Sequence, residues 1–142
     1  MLNQNFTNKK EIINKMIDKA YQCKLVTNKY LLIESVYKRE SALPTSVGLG
    51  VAIPHGKSDA VVEPFIVYMQ LTNEIEWDQK NHEKVNLIFL IAVPQKGGDK
   101  EHLKYISQIS RMLINDDFRK KLQLCKTNDE AYELLKKVNK NL

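Results

Sequence analysis

The sequence predicts an α/β layer structure, a small mixed β-sheet flanked by helices, and three observations predict it. The run from Val85 to Val93 is almost continuously apolar, the pattern of a strand covered on both faces. Ile12, Ile13, Met16, Ile17, Ala20 and Tyr21 recur at helical spacing, and similar stretches follow. Strand-like and helix-like segments alternate with no linker, internal repeat or low-complexity tract. Residues 1–142 therefore read as one domain, long enough to bury a continuous core.

Each element has its own signal. Asn8 followed by Glu11 has the form of a helix start, because its side chain can accept from the free N–H groups of a first turn. Asn28 opens a second helix, with Leu32, Ile33, Val36 and Tyr37 directed inward and Arg39 near its end. Val51-Ala52-Ile53 is a short buried strand that Pro54 stops, since proline has no N–H to give the ladder. His55 is then held at a strand end on a stiff backbone, and Gly56 lets the chain turn away with no side chain in front of the ring. Residues 57–64 form a polar loop, and Phe65 to Leu71 is β-branched and aromatic enough for a strand. Thr72 to Lys84 reads as a long charged connection containing Trp77 and an exposed His82.

After the strand that Pro94 ends, residues 95–99 form a loop with Asp99 as N-cap of the next helix. That helix carries Leu103, Ile106, Ile109 and Leu113 on its core face and His102 in its first turn. Asn115, Asp116 and Asp117 begin a short helix that uses Phe118 and Leu122. Asn128 begins the last, docked by Ala131, Leu134, Leu135 and Val138. Its Asp129 and Glu130 near the start, and Lys136 and Lys137 near the end, complement the macrodipole.

Composition narrows the function. With 43% hydrophobic and 27% charged residues, the chain has soluble-globular proportions. Its longest apolar run, Leu87 to Val93, is too short to span a bilayer, and no signal-peptide pattern precedes Thr7. Cys23 and Cys125 lack a CxxC or metal spacing and read as reduced, packed thiols of a cytoplasmic protein. The net charge of +5 suggests nucleic acid at first sight, yet the lysines are spread along the helices with no basic run of five. A solvated surface accounts for them.

Three positions carry possible chemistry. An imidazole presented as His55 is can act as nucleophile or base, because its ordinary pKa leaves it mostly neutral near pH 7; the alternative is a structural turn whose histidine bonds to the backbone. Arg39 either neutralises its helix C-terminus or reaches across to hold a phosphate by His55 in the bidentate geometry guanidinium favours. His102 is either exposed or placed where a first turn's N–H groups favour an anion. A metal-dependent hydrolase built from His55, His82 and His102 is a further reading, but these histidines lack close ligand spacing and an acidic cluster.

The longer stretch decides among these. Arg39-Glu40, Pro44-Thr45, Gly48, Gly50 and Ala52-Ile53-Pro54-His55-Gly56 resemble the signature of IIA components of the bacterial phosphoenolpyruvate-dependent sugar phosphotransferase system, in the fructose, mannitol and nitrogen-related class. The resemblance continues through Val85 to Pro94 and Glu101-His102-Leu103. It implies the fructose/mannitol-type IIA fold and a His55 that accepts a phosphoryl group from phospho-HPr and passes it to a IIB component. It makes His102 the second, assisting histidine and turns Arg39 toward function, with Thr45 as a further hydroxyl donor to the phosphate. No metal or cofactor is implied, and the membrane IIC is reached only indirectly. A regulatory IIA, whose phosphorylation state controls other proteins, is the alternative within the same family. The chain departs from the pattern at Ser46, where members often carry glycine. It also has only six residues before Thr7, little room for the family's first strand.

Overall fold

The structure, a computed structural model, describes residues 1–2, 4–78, 80–96 and 98–140; the side chains at 98, 99, 101, 102, 105, 109, 114 and 137–140 lie outside the described set. Helices α1 (Lys9–Gln22) and α2 (Lys29–Ala42) come first. Strands β1 (Ser46–Gly48), β2 (Val51–Ala52), β3 (His55–Lys57), β4 (Phe65–Asp78) and β5 (Glu83–Val93) follow. Helices α3 (Gly98–Ile114), α4 (Asp116–Leu124) and α5 (Asn128–Lys140) complete the order.

The predicted caps form. Asn8 Oδ1 accepts from the Glu11 amide at 2.9 Å while its Nδ2 donates to Glu11 Oε1, so each end of the pair satisfies the other. Asn28 accepts from the amides of Tyr30 and Leu31, and Asn115 from those of Asp117 and Phe118. For α5 the cap is Thr127 rather than Asn128: the Thr127 hydroxyl accepts from the Glu130 amide at 3.1 Å, and Asn128 is already helical. Asp99 likewise falls inside α3 by its backbone, and does not precede it.

β5 is the centre of a mixed sheet. β4 runs antiparallel along one edge of it, from Phe65 opposite Ala92 to Asp78 opposite Glu83. β2 and β3 run parallel to it, and β1 pairs antiparallel with β2. Val51 faces Leu87 and Lys57 faces Val93, so the offset is 87 − 51 = 93 − 57 = 36 residues at both ends. β2 and β3 thus share one register. The strand breaks at Ile53 and Pro54, as expected, yet the Pro54 carbonyl still accepts from the Ile91 amide at 3.0 Å and so keeps the register across the break.

The charged connection expected over Thr72 to Lys84 is mostly strand. Ile75 and Trp77 are buried while Glu74 and Glu76 are exposed, a period-2 alternation that the charge content masks. The turn closes at His82, which is exposed and takes a left-handed φ of 56°. At the chain start Gln4 bridges to Leu71 alongside β4, and the Gln70 amide donates to the Met1 carbonyl.

The sheet separates two apolar layers. On one side α1 and α2 bury Ile12, Ile13, Met16, Leu32 and Val36 against Ala52, Ile88, Leu90 and Trp77. On the other, Val51, Ile53, Leu87, Phe89 and Ile91 pack with Leu113, Leu122 and Ala131 of α3, α4 and α5. β5 feeds both layers, as its unbroken apolar run implies. Three expected core positions differ. Tyr21 is exposed at its helix end, Leu103 is 70% exposed, and Cys23 is exposed rather than packed. Ile109 and Val138 lie outside the described side chains. No described helix is long and apolar enough to cross a membrane.

Candidate phosphoryl-transfer site

His55 stands where the strand resumes after Pro54, with α2 and α3 both packed against β3. Its ring is half-buried. Nδ1 lies 2.9 Å from the Ile53 carbonyl oxygen, and Nε2 lies 3.1 Å from Arg39 Nε. A carbonyl only accepts and a guanidinium only donates, so these two contacts leave one protonation state. Nδ1 carries the proton, and Nε2 presents a lone pair to Arg39. Burial is the main cause that holds the pKa of this imidazole below its ordinary 6.5; the Ile53 carbonyl pulls upward, and the Arg39 charge adds to the lowering. The ring is held neutral with its tautomer fixed.

Arg39 reaches His55 because α2 comes unusually close to β3. Gly56 sits inside the strand, and a Cβ there would meet Ser35 Oγ and Val36 Cγ2 at 2.9 Å and the Val36 amide nitrogen at 3.2 Å. Its lack of a side chain serves helix packing and not a turn away from the ring, which corrects the sequence expectation. Ser35 Oγ donates to the Lys57 carbonyl at 2.8 Å and accepts from the Lys57 amide at 3.1 Å, stapling the two elements. Arg39 lies one helical turn beyond Ser35, so the staple aims it. Its Nη1 donates to the Leu43 carbonyl at 2.7 Å, leaving a cation held by two contacts beside the ring.

Thr45 does not present its hydroxyl to this site. The residue is buried, and Oγ1 donates to Glu40 Oε2 at 2.6 Å. His102 lies in the first turn of α3 by its backbone, and its side chain falls outside the described residues. His82 bonds to Glu76 at the β4–β5 turn, 91 − 82 = 9 residues before Ile91, the partner of His55, more than about 20 Å away at strand rise. The hydrolase reading that joined these histidines fails on that separation. Ser46, where family members often carry glycine, is a strand residue opposite Ala52; the left-handed positions of this hairpin are Gly48, Leu49 and Gly50.

The residue that sequence reasoning passed over is Glu40. It was visible only as half of Arg39-Glu40, and nothing local marks it as buried. In the fold it is 6% exposed and takes four donors: Lys9 Nζ, the Thr45 amide, the Thr45 hydroxyl and the Trp77 indole N–H at 2.7 Å. An open cleft of about 890 Å³, lined by Lys9, Tyr37, Glu40, Trp77 and Asp78, lies on this side and does not include His55. Exposed Leu43, whose carbonyl Arg39 engages, supplies apolar area beside the histidine.

A three-layer α/β fold thus bears a neutral, tautomer-fixed histidine beside an arginine, an arrangement suited to phosphoryl transfer. Residues 1–138 match the family described as the phosphoenolpyruvate-dependent sugar phosphotransferase system, EIIA 2, and the chain belongs to that family. It is 31% identical over 130 residues to the fructose-specific EIIA component of Haloferax volcanii, covering 92% of this chain and 84% of that protein. A nitrogen regulatory protein of Bradyrhizobium diazoefficiens is 32% identical over 127 residues, with 89% and 82% covered. Against the 2-O-alpha-mannosyl-D-glycerate-specific EIIABC component of Escherichia coli the identity is 30% over 135 residues, 94% of this chain but only 20% of that longer protein. The fold superposes on nitrogen regulatory protein IIA-Ntr of Neisseria meningitidis with a TM-score of 0.84 at 23% identity, over 94% of this chain and 90% of the other.

Proposed function

We propose that the chain is a phosphoryl carrier, taking the group from phospho-HPr onto Nε2 of His55 and giving it to a IIB component. The observation that carries this reading is the pair of contacts that fixes the ring, Nδ1–H to the Ile53 carbonyl and Arg39 Nε–H to Nε2. The Nε2 lone pair attacks phosphorus in line. The new N–P bond forms as the donor's N–P bond breaks, and that electron pair returns to the donor imidazole. The positive charge gained by the His55 ring is held by the Nδ1–H···O=C bond, while Arg39 yields Nε2 and turns its donors to the phosphoryl oxygens. His102, in the first turn of α3, assists with that charge. The buried Thr45 hydroxyl, already donating to Glu40, supports the site without touching the phosphate.

Two protein partners must reach His55 in turn, and exposed Leu43, whose carbonyl Arg39 engages, offers them apolar surface beside it. The EIIABC name of one relative unites A, B and C components in a single protein, in keeping with IIB as acceptor and a membrane IIC beyond it. All 142 residues serve as one IIA unit acting in the cytoplasm. A regulatory output is the second reading, favoured by the likeness to the nitrogen regulatory protein. Incubation with phosphoenolpyruvate, enzyme I and HPr, followed by a panel of IIB domains, tests both. Acid-labile, base-stable phosphate on His55, absent from His55→Ala, is expected. Rapid delivery to one IIB supports transport, and labelling with no IIB acceptor supports regulation. An acid-stable label, or full labelling of His55→Ala, removes the proposal.

A further inference from the structure

We infer that Glu40 is the positioning residue of this site, holding the tautomer and the aim of His55 from the opposite side of the 43–54 segment. The inference rests on the reading of His55 as phosphoryl acceptor. It starts from a connected series of hydrogen bonds. The Glu40 carboxylate takes the Thr45 amide at 3.0 Å and the Thr45 hydroxyl at 2.6 Å. The Thr45 carbonyl accepts from the Ile53 amide at 3.0 Å. The Ile53 carbonyl accepts from His55 Nδ1 at 2.9 Å. Behind the carboxylate, Trp77 Nε1 and Lys9 Nζ hold it against β4 and α1, with the Lys9 ammonium also 5.3 Å from the indole centroid. Glu40 thus ties the sheet, α1 and the last turn of α2 to the one carbonyl that decides which ring nitrogen carries the proton.

The geometry also explains why a carboxylate occupies this place. Glu40 is the neighbour of Arg39, so the last turn of α2 that aims the guanidinium is anchored by the same group that anchors the His55 backbone. A two-oxygen acceptor is needed because three donors converge on Oε1 and a fourth on Oε2. An apolar residue leaves the Thr45 amide and the indole N–H buried without an acceptor, and the 43–45 segment is then free to seek other partners. Glutamine keeps the shape: its Oε1 retains the Oε1 donors, and its amide donates to the Thr45 hydroxyl after that hydroxyl rotates.

The test is the ring-nitrogen state of His55 in the full chain, read by long-range ¹H–¹⁵N correlation at pH 7.5 with no phosphoryl donor present. Wild type should show the Nδ1–H tautomer. Glu40→Ala should show a mixture with the Nε2–H form, and phosphorylation by phospho-HPr slowed about 10–100-fold, the cost of one or two charge-assisted contacts in the transition state. Glu40→Gln should restore the single tautomer. Thr45→Val, which deletes only the hydroxyl, should move the ring the same way, and this variant decides the matter if Glu40→Ala does not fold. An unchanged tautomer in both Glu40→Ala and Thr45→Val overturns the inference. If wild type accepts no phosphate, the carrier function falls while the tautomer measurement still judges Glu40.

Discussion

At the scale of single residues, the reactivity of His55 is set by what each ring nitrogen touches. In the proposed transfer Arg39 must let go, because it occupies Nε2 at rest. A lysine in its place keeps a charge and loses the planar fork, so Arg39→Lys should slow phosphorylation by phospho-HPr at least tenfold with the fold intact, about 1.4 kcal/mol of barrier per decade. Wild-type kinetics in that variant would reduce Arg39 to a helix cap. The lowered pKa has a sign that can be followed. As pH falls through 6.5 the unfolded chain protonates this ring first, so stability drops in the window between 6.5 and the lower native value, while the native ring stays neutral. NMR titration of the folded chain should therefore place the His55 midpoint below 6.5, and Arg39→Ala should move it upward. A native midpoint at or above 6.5 contradicts the desolvated, arginine-paired ring.

At the scale of elements, the distance from α2 to β3 governs the site. Gly56→Ala forces its Cβ on Ser35 and on the Val36 backbone, which cannot swing aside as a side chain tip does. The variant should lose about 1–3 kcal/mol in urea unfolding and transfer phosphate more slowly, although His55 and Arg39 are both present. Normal transfer with normal stability would show that the close approach is incidental. The elements themselves were largely legible in the sequence. Caps at Asn8, Asn28 and Asn115 and the apolar run of β5 are local signals, and each formed where local chemistry placed it. What escaped was set across distance. The outer half of β4 hides its alternation under charge, and Leu103 keeps a helical apolar spacing while facing solvent. His55 and Arg39 could be named from spacing and resemblance, but the burial of Glu40 depends on Trp77 and Lys9, 37 and 31 residues away. No window of sequence contains that contact.

At the scale of the molecule, two helical layers share one central strand. Phe89 is fully buried in the layer of α3, α4 and α5, its ring centroid 4.9 Å from that of Tyr68 in a tilted contact, while its neighbours Ile88 and Leu90 belong to the α1–α2 layer. Phe89→Ala should cost about 3–5 kcal/mol and lower the stability of both layers in a single transition, measured by far-ultraviolet and tryptophan signals together. Trp77 reports the α1–α2 layer, so a tryptophan signal that ignores the substitution would mean that the layers unfold separately.

The register that runs unbroken through Pro54 carries a consequence for how the reaction is staged. His55 is threaded into the middle strand system by rungs on both sides of it, Ala52 opposite Ile88 before and Gly56 opposite Ala92 after, with the Ile91 amide clasped by Pro54 between them. Deuterium should enter that Ile91 amide only when the whole molecule opens, placing the acceptor among the last parts of the chain to exchange. In the proposed transfer His55 is therefore a stationary post, and the travelling in each handover falls to the proteins that visit it.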